Sequence, residues 1–191
     1  SNVAKTAGNA TTARKLGGCP TWYETNVDAG TGGSGAGNGA IRTDGTQRAF
    51  TEDQLKGILV SCYNEGGNPN MIMVNAFNKQ KLSGFTGGST RFDAAEDRRL
   101  ITSIDVYESD FGTMQVAPNR FIRGANGTAA KIGQDAHILD MEYWAVSFLR
   151  DFSLQTPAQT SDADQRFMVA EYTLESRNEK ASGLITDLTT S

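Results

Sequence analysis

The chain has 191 residues, 38% of them apolar and 21% charged, with 21 glycines and a formal net charge of −4. That length suits one domain, or one domain with a long appendage, since domains run to roughly 100–200 residues. Mild acidity leaves no basic footprint for gripping a phosphate backbone, and the lack of any run of about 18 apolar residues argues against a membrane-spanning helix.

The first 18 residues are small and polar around the basic pair Arg14-Lys15 and read as an arm or loop. The chain opens on Ser1-Asn2-Val3 with neither an initiator methionine nor a signal-peptide pattern, so an upstream segment is expected. Thr21 to Val27, with Trp22 and Tyr23, fits a short strand or turn. Six of the ten residues from Gly30 to Gly39 are glycine. Such a stretch buries too little to offset the entropy of ordering, and a mobile loop is expected.

A helix from Thr51 to Glu65 has a clear start. Thr51 is a good N-cap, Glu52 and Asp53 favour the first turn, and Gln54 completes a capping box. Leu55, Ile58, Leu59 and Cys62 recur at helical spacing and predict one buried face, against a sheet containing Met71 to Val74. Gly66-Gly67 and Pro69 stop the helix. Asn75 can cap a second, short helix from Ala76 to Leu82, which Gly84 ends.

From Leu100 the period changes to two. Leu100, Thr102, Ile104 and Val106 share a face, Asp110-Phe111-Gly112 turns the chain, and Met114 and Val116 alternate on the return: a β-hairpin. Pro118 confines the return strand to an edge or marks its end. After a loop from Gly124 to Gly133, Ala136 to Leu139 is a strand. Tyr143 to Leu154 and Phe167 to Leu174 are long alternating stretches near the C-terminus. They fit an extended arm of sheet better than a pocket, and the chain continues through Glu175–Lys180 into Ala181–Leu188. The fold class expected is α+β, with no internal repeat.

Catalytic constellations are absent from the sequence. Gly30-Thr31-Gly32-Gly33-Ser34-Gly35 matches G-x-G-x-x-G, but no helix begins before about Thr51, so nucleotide binding is not expected. His137 is the only histidine, near Asp135 and Asp140. Its neighbours Ile138 and Leu139 make it a strand residue at a sheet surface, and no G-x-S-x-G elbow supplies a nucleophile. Cys19 and Cys62 lie outside any C-x-x-C pair and read as free thiols. The carboxylate pairs Asp162/Asp164 and Glu108/Asp110 read as turn residues, without the apolar shielding an acid catalyst needs. Arg91 to Arg99 and the run Glu171, Glu175, Arg177, Glu179, Lys180 mix signs densely. They read as solvated, salt-linked surface, or as ionic contacts with a neighbouring subunit. No catalytic residue, cofactor or metal site is assigned, and no enzymatic activity is expected.

Four segments carry a resemblance: NPNMIMVNAFNKQKLSGFTGG (Asn68 to Gly88), DVYESDFGTMQVAPNRF (Asp105 to Phe121), DMEYWAVSFLRDF (Asp140 to Phe152) and EYTLESRNEKASGLITDL (Glu171 to Leu188). With ARKLGG at Ala13 to Gly18, they make the chain resemble the major capsid proteins of tailed bacteriophages with the Hong Kong 97-like fold. That resemblance implies a C-terminal portion whose N-terminal arm, extended loop and spine helix lie upstream of Ser1. Residues 1–50 would be a flexible arm and glycine-rich loop, 51–140 an axial-type α/β domain, and 141–191 strands returning to the peripheral domain. It implies a structural subunit of an icosahedral, DNA-containing phage or prophage head. Partners would be further copies in pentamers and hexamers, with scaffold, portal or decoration proteins beside them, and DNA enclosed without sequence-specific binding and without a membrane. The alternative is a β-rich phage or cell-surface binding module of adhesin type. It would call for repeats, or trimeric or secretory features, which the sequence lacks.

Overall fold

The protein is described by a computed structural model covering residues 3–85, 105–122, 131–158 and 162–190. Two helices form where side chains satisfy their free ends. Helix α1 (Glu52–Asn64) has the expected capping box: the Gln54 amide donates to Thr51 Oγ1 (3.4 Å), and the Thr51 amide donates to Gln54 Oε1 (3.1 Å). Gly66, at φ +83°, closes the other end. Its amide returns to the Tyr63 carbonyl (3.0 Å), and the Gly67 amide returns to Cys62 (2.8 Å), the paired bonds of a Schellman motif. Helix α2 (Ala76–Ser83) is capped by Asn75, whose Oδ1 accepts from the Asn78 amide at 2.6 Å.

The strands are β1 (Val27–Asp28), β2 (Met71–Val74), β3 (Val106–Ser109), β4 (Gly112–Pro118), β5 (Ala136–Leu139), β6 (Trp144–Gln155), β7 (Phe167–Ser176) and β8 (Gly183–Ile185). Six form one mixed sheet in the order β1-β8-β5-β2-β4-β3, and β6 and β7 form a separate antiparallel ribbon. In the six-stranded sheet, β1 runs parallel to β8 and β2 parallel to β4; the other neighbours are antiparallel.

One face of the sheet carries Ile72, Val74, Met114, Val116, Ala136, Ile138 and Ile185, and it packs on Leu55, Ile58, Leu59 and Cys62 of α1 and Leu82 of α2. The helical face read from the sequence is therefore buried where expected. On the other face Leu139 and Leu184 meet Tyr23, with Val27, Met71, Met73 and Trp144 around them. Close approach of α1 depends on Gly183: a Cβ there would sit 2.3 Å from Ile58 Cγ2.

Thr21–Val27 takes the turn of the two forms expected for it, following a 3-10 turn at Cys19–Thr21 and entering the two-residue β1 at Val27. Several expectations need correction. Glu108 lies within β3 and not in the turn, while Pro118 is the last residue of β4, as its chemistry requires. Leu100 to Ile104 and Arg91 to Arg99 lie outside the described residues. Ala181–Leu188 does not prolong the ribbon, because β8 slots between β1 and β5 and is fully buried. The sheet thus draws β1, β2 to β5, and β8 from all three stretches that the sequence reading had separated.

Candidate assembly surface

The β6–β7 ribbon is an exposed, two-faced element. Its register pairs Trp144 with Ser176, Val146 with Leu174, Phe148 with Tyr172 and Leu154 with Met168. Alternation puts these residues on one side, because successive strand side chains point to opposite faces. Phe148 lies 5.9 Å from the Tyr172 ring and 6.0 Å from Phe152. Phe152 shares this side, while the register shifts between Phe148 and Arg150 and between Arg150 and Ser153 turn Arg150 to the other. Val146, Phe148, Phe152, Leu154, Met168 and Tyr172 are all strongly exposed, from 48% at Phe148 to 66% at Met168. The opposite side is polar in the root half of the ribbon, where Arg150 bonds Glu171 at 2.6 Å and the Ser147 hydroxyl donates to Glu175; toward the tip it carries Val169 and the exposed Phe167. A contiguous apolar face of this kind marks a surface that another element covers.

The charged run at the end of the ribbon is paired within the chain. Arg177 bonds Glu175 (3.3 Å), Lys180 bonds Glu65 (3.2 Å), and Glu179 accepts from the Glu24 and Thr25 amides. Hydrogen-bond donors next to Glu171 and Glu175, Arg150 and Ser147 respectively, hold both carboxyls below the usual range.

The glycine-rich segment is not the free loop its composition predicts. Arg42, with a fully buried side chain, reaches Asp187 (3.1 Å) and Asp135 (2.9 Å), both equally buried, and Asp44 (2.8 Å). Asp187 Oδ2 also accepts from the Gly30 amide (3.0 Å) and the Thr186 hydroxyl (3.0 Å). A Cβ at Gly30 would lie 2.0 Å from the Thr46 carbonyl oxygen, so only glycine lets the two strands of the loop come this close. Ordering is offset by a buried ion cluster and backbone hydrogen bonds instead of apolar burial, a route composition alone does not reveal. The amide that the G-x-G-x-x-G match would offer to a phosphate is occupied by the chain's own carboxylate.

A family model described as SU10 major capsid protein matches residues 1–189. The chain belongs to the SU10 major capsid protein family. It is a structural capsid subunit of a bacteriophage virion, and membership implies self-association into capsomers. No curated protein matches the sequence.

Of the titratable residues singled out in the sequence, His137, Asp135 and Asp140 are buried. His137 is not at a sheet surface: β5 is buried on both faces, His137 is 5% exposed, and its ring lies 5.9 Å from Tyr23. Burial pushes its pKa down to about 4, which keeps it neutral. Asp140 accepts from the Asn68 and Glu142 amides and so ties β5 to the root of the ribbon. Burial raises Asp135 to about 7 against the pull of Arg42. Burial also raises Asp187, but the Gly45 and Gly30 amides, Thr186 and Arg42 outweigh it and leave the group below its ordinary value. Cys19 and Cys62 are free, and burial pushes their thiols up to about 11 and about 12, opposite in direction to the lowering that activates a thiol. Among the described residues no group of His, Cys, Asp and Glu has the arrangement to hold a metal, and no helix is long and apolar enough to cross a membrane.

Arg42 was not marked by any sequence signal. It sits in a polar segment, and its partners Asp135 and Asp187 lie 93 and 145 residues away.

Proposed function

We propose that this subunit builds an icosahedral head in the Hong Kong 97-like manner, with pentamers and hexamers enclosing DNA that it does not read by sequence. The match to a capsid family across residues 1–189 carries this reading. In it, the six-stranded sheet with α1 and α2 forms the axial-type unit, and the peripheral contribution narrows to the β6–β7 ribbon. The ribbon's exposed apolar face supports that division, since a surface of this kind needs a cover that the subunit's other described elements do not supply. In the resembled fold a spine helix braces the peripheral domain, and we assign the apolar face to such a helix. A net charge of −4 fits a wall that contains DNA without binding it tightly. Scaffold, portal and decoration proteins are its expected further partners, and the host cytoplasm the expected place of assembly. The subunit has no catalytic role in this reading.

The test is electron microscopy of the expressed gene, alone and together with its neighbouring genes. Closed shells in which this sheet and ribbon can be placed are expected. Shells whose wall follows a different subunit fold would refute the Hong Kong 97-like assignment while leaving the capsid role intact.

A further inference from the structure

Residues 3–18 fold back on themselves beside the ribbon. Thr6 and Lys15 exchange both backbone hydrogen bonds (3.0 and 3.1 Å), and the Gly18 amide donates to the Val3 carbonyl (3.0 Å). Between this fold and the root of the ribbon lies an open groove of about 400 Å³, lined on one side by Lys5, Arg14 and Lys15. None of these three exposed cations makes an ion pair among the described residues. The acid on the other wall, Glu175, is taken up by Ser147 and Arg177. Trp22 and Ser176 also line the groove, and Trp22 Nε1 and Ser176 Oγ are shielded from water with no hydrogen-bond partner among the described residues. Both residues line the groove, so a chain seated there would change their surroundings.

The far end of the ribbon has the opposite sign. Asp162 and Asp164 are exposed there; Asp164 shares Arg166 at 3.0 Å, and Asp162 has no ion pair among the described residues. Strand β6 runs 12 residues, so at roughly 3.3 Å per residue the tip stands about 40 Å from the root. An antiparallel pair of this length cannot fold its tip back into its own root groove. The basic root and the acidic tip can meet only between two copies.

We propose that the groove lined by Lys5, Arg14 and Lys15 receives the Asp162–Asp164 tip of a second copy's ribbon. The contact is head-to-tail, so it closes into a ring where the rotation between copies allows and extends into a chain where it does not. It rests on the self-association that the capsid reading implies, and it names the two surfaces.

Sedimentation velocity over a concentration series tests it, with the Trp22 indole N–H followed by NMR. Association should weaken at least roughly tenfold between about 0.1 M and about 1 M salt, where the screening length drops from about 10 to about 3 Å. The Trp22 signal should shift as copies associate. The triple variant Lys5→Glu/Arg14→Glu/Lys15→Glu and the double variant Asp162→Lys/Asp164→Lys should each lose association while keeping the parent's circular dichroism. An equimolar mixture of the two should regain it, because each then meets its complement. No association in the parent, association indifferent to salt and reversal, or a mixture that fails to recover would each overturn the proposal. A Phe148→Ser/Phe152→Ser variant separates the readings. If it alone abolishes association, copies meet through the apolar face, and the capsid role stands while this contact falls.

Discussion

The six-stranded sheet and the β6–β7 ribbon use the same period-two alternation to opposite ends. In the sheet, strands of two to seven residues are covered by helices on one face and by the Cys19–Val27 segment on the other. In the ribbon, strands of 12 and 10 residues leave an apolar face open. Their charges differ in the same way. The side chains of Arg42, Asp135 and Asp187 are 0% exposed, whereas Arg150 is 56% exposed beside Glu171. Hydrogen-bond length does not rank these pairs, since the exposed one is the shorter. Burial does, because removing one partner of a buried pair strands a charge in a poor solvent, while water replaces a lost partner at the surface.

The sharpest way to break this contrast is a pair of matched substitutions. Arg42→Met should lower stability by about 3–5 kcal/mol in urea unfolding, since it leaves the buried Asp187 carboxylate, and Asp135 where it is ionised, without their cation. Arg150→Met should leave the unfolding midpoint where it is. Equal losses would erase the distinction between the two regions.

Apolar truncation should divide in the same way. Leu59→Ala removes a side chain that is 2% exposed and should cost about 2–5 kcal/mol. Phe152→Ser, at a position 61% exposed, should leave the midpoint unchanged and reduce the binding of a hydrophobic dye. Loss of stability there would mean that the ribbon face is already packed in the isolated subunit.

Gly183→Ala should cost about 1–3 kcal/mol by pressing on Ile58. Adding Ile58→Ala should make the combined loss smaller than the sum of the single losses, because the second change removes the atom the first one meets. Strict additivity would show that the α1–β8 contact is looser than drawn.

The smallest effect is on pH dependence. With Asp135 raised from 3.8 to about 7, the folded chain holds a proton in that window that the unfolded chain lacks, so stability falls as pH rises. With His137 lowered from 6.5 to about 4, the unfolded chain takes a proton there that the folded chain refuses, so stability rises with pH. The slopes oppose each other between pH 4 and 6.5, so the two contributions partly cancel across that range. His137→Leu removes one of them, and its melting temperature should then decline from pH 4 to 7; a flat profile would place Asp135 as an ordinary ionised carboxylate.

Local order was legible in the residues themselves. The Thr51–Gln54 capping box, the buried face of α1, the glycine stop at Gly66 and the Asn75 cap depend on partners within a few residues, so the spacing of side chains decides them. The capsid assignment was legible too, in long ordered segments that the family match over residues 1–189 bears out. Tertiary structure alone decided the rest. It placed β8 between β1 and β5, buried His137 on both sides of its strand, and ordered the glycine-rich segment around Arg42 and Asp187. Each of these depends on groups far apart in the chain, and neither local propensity nor composition carries information about which distant carboxylate a guanidinium will meet. The same reason explains why alternation predicted strands in both regions but not which strands would be covered: period two says that a strand has two faces, and only the elements packed against it decide which face meets water.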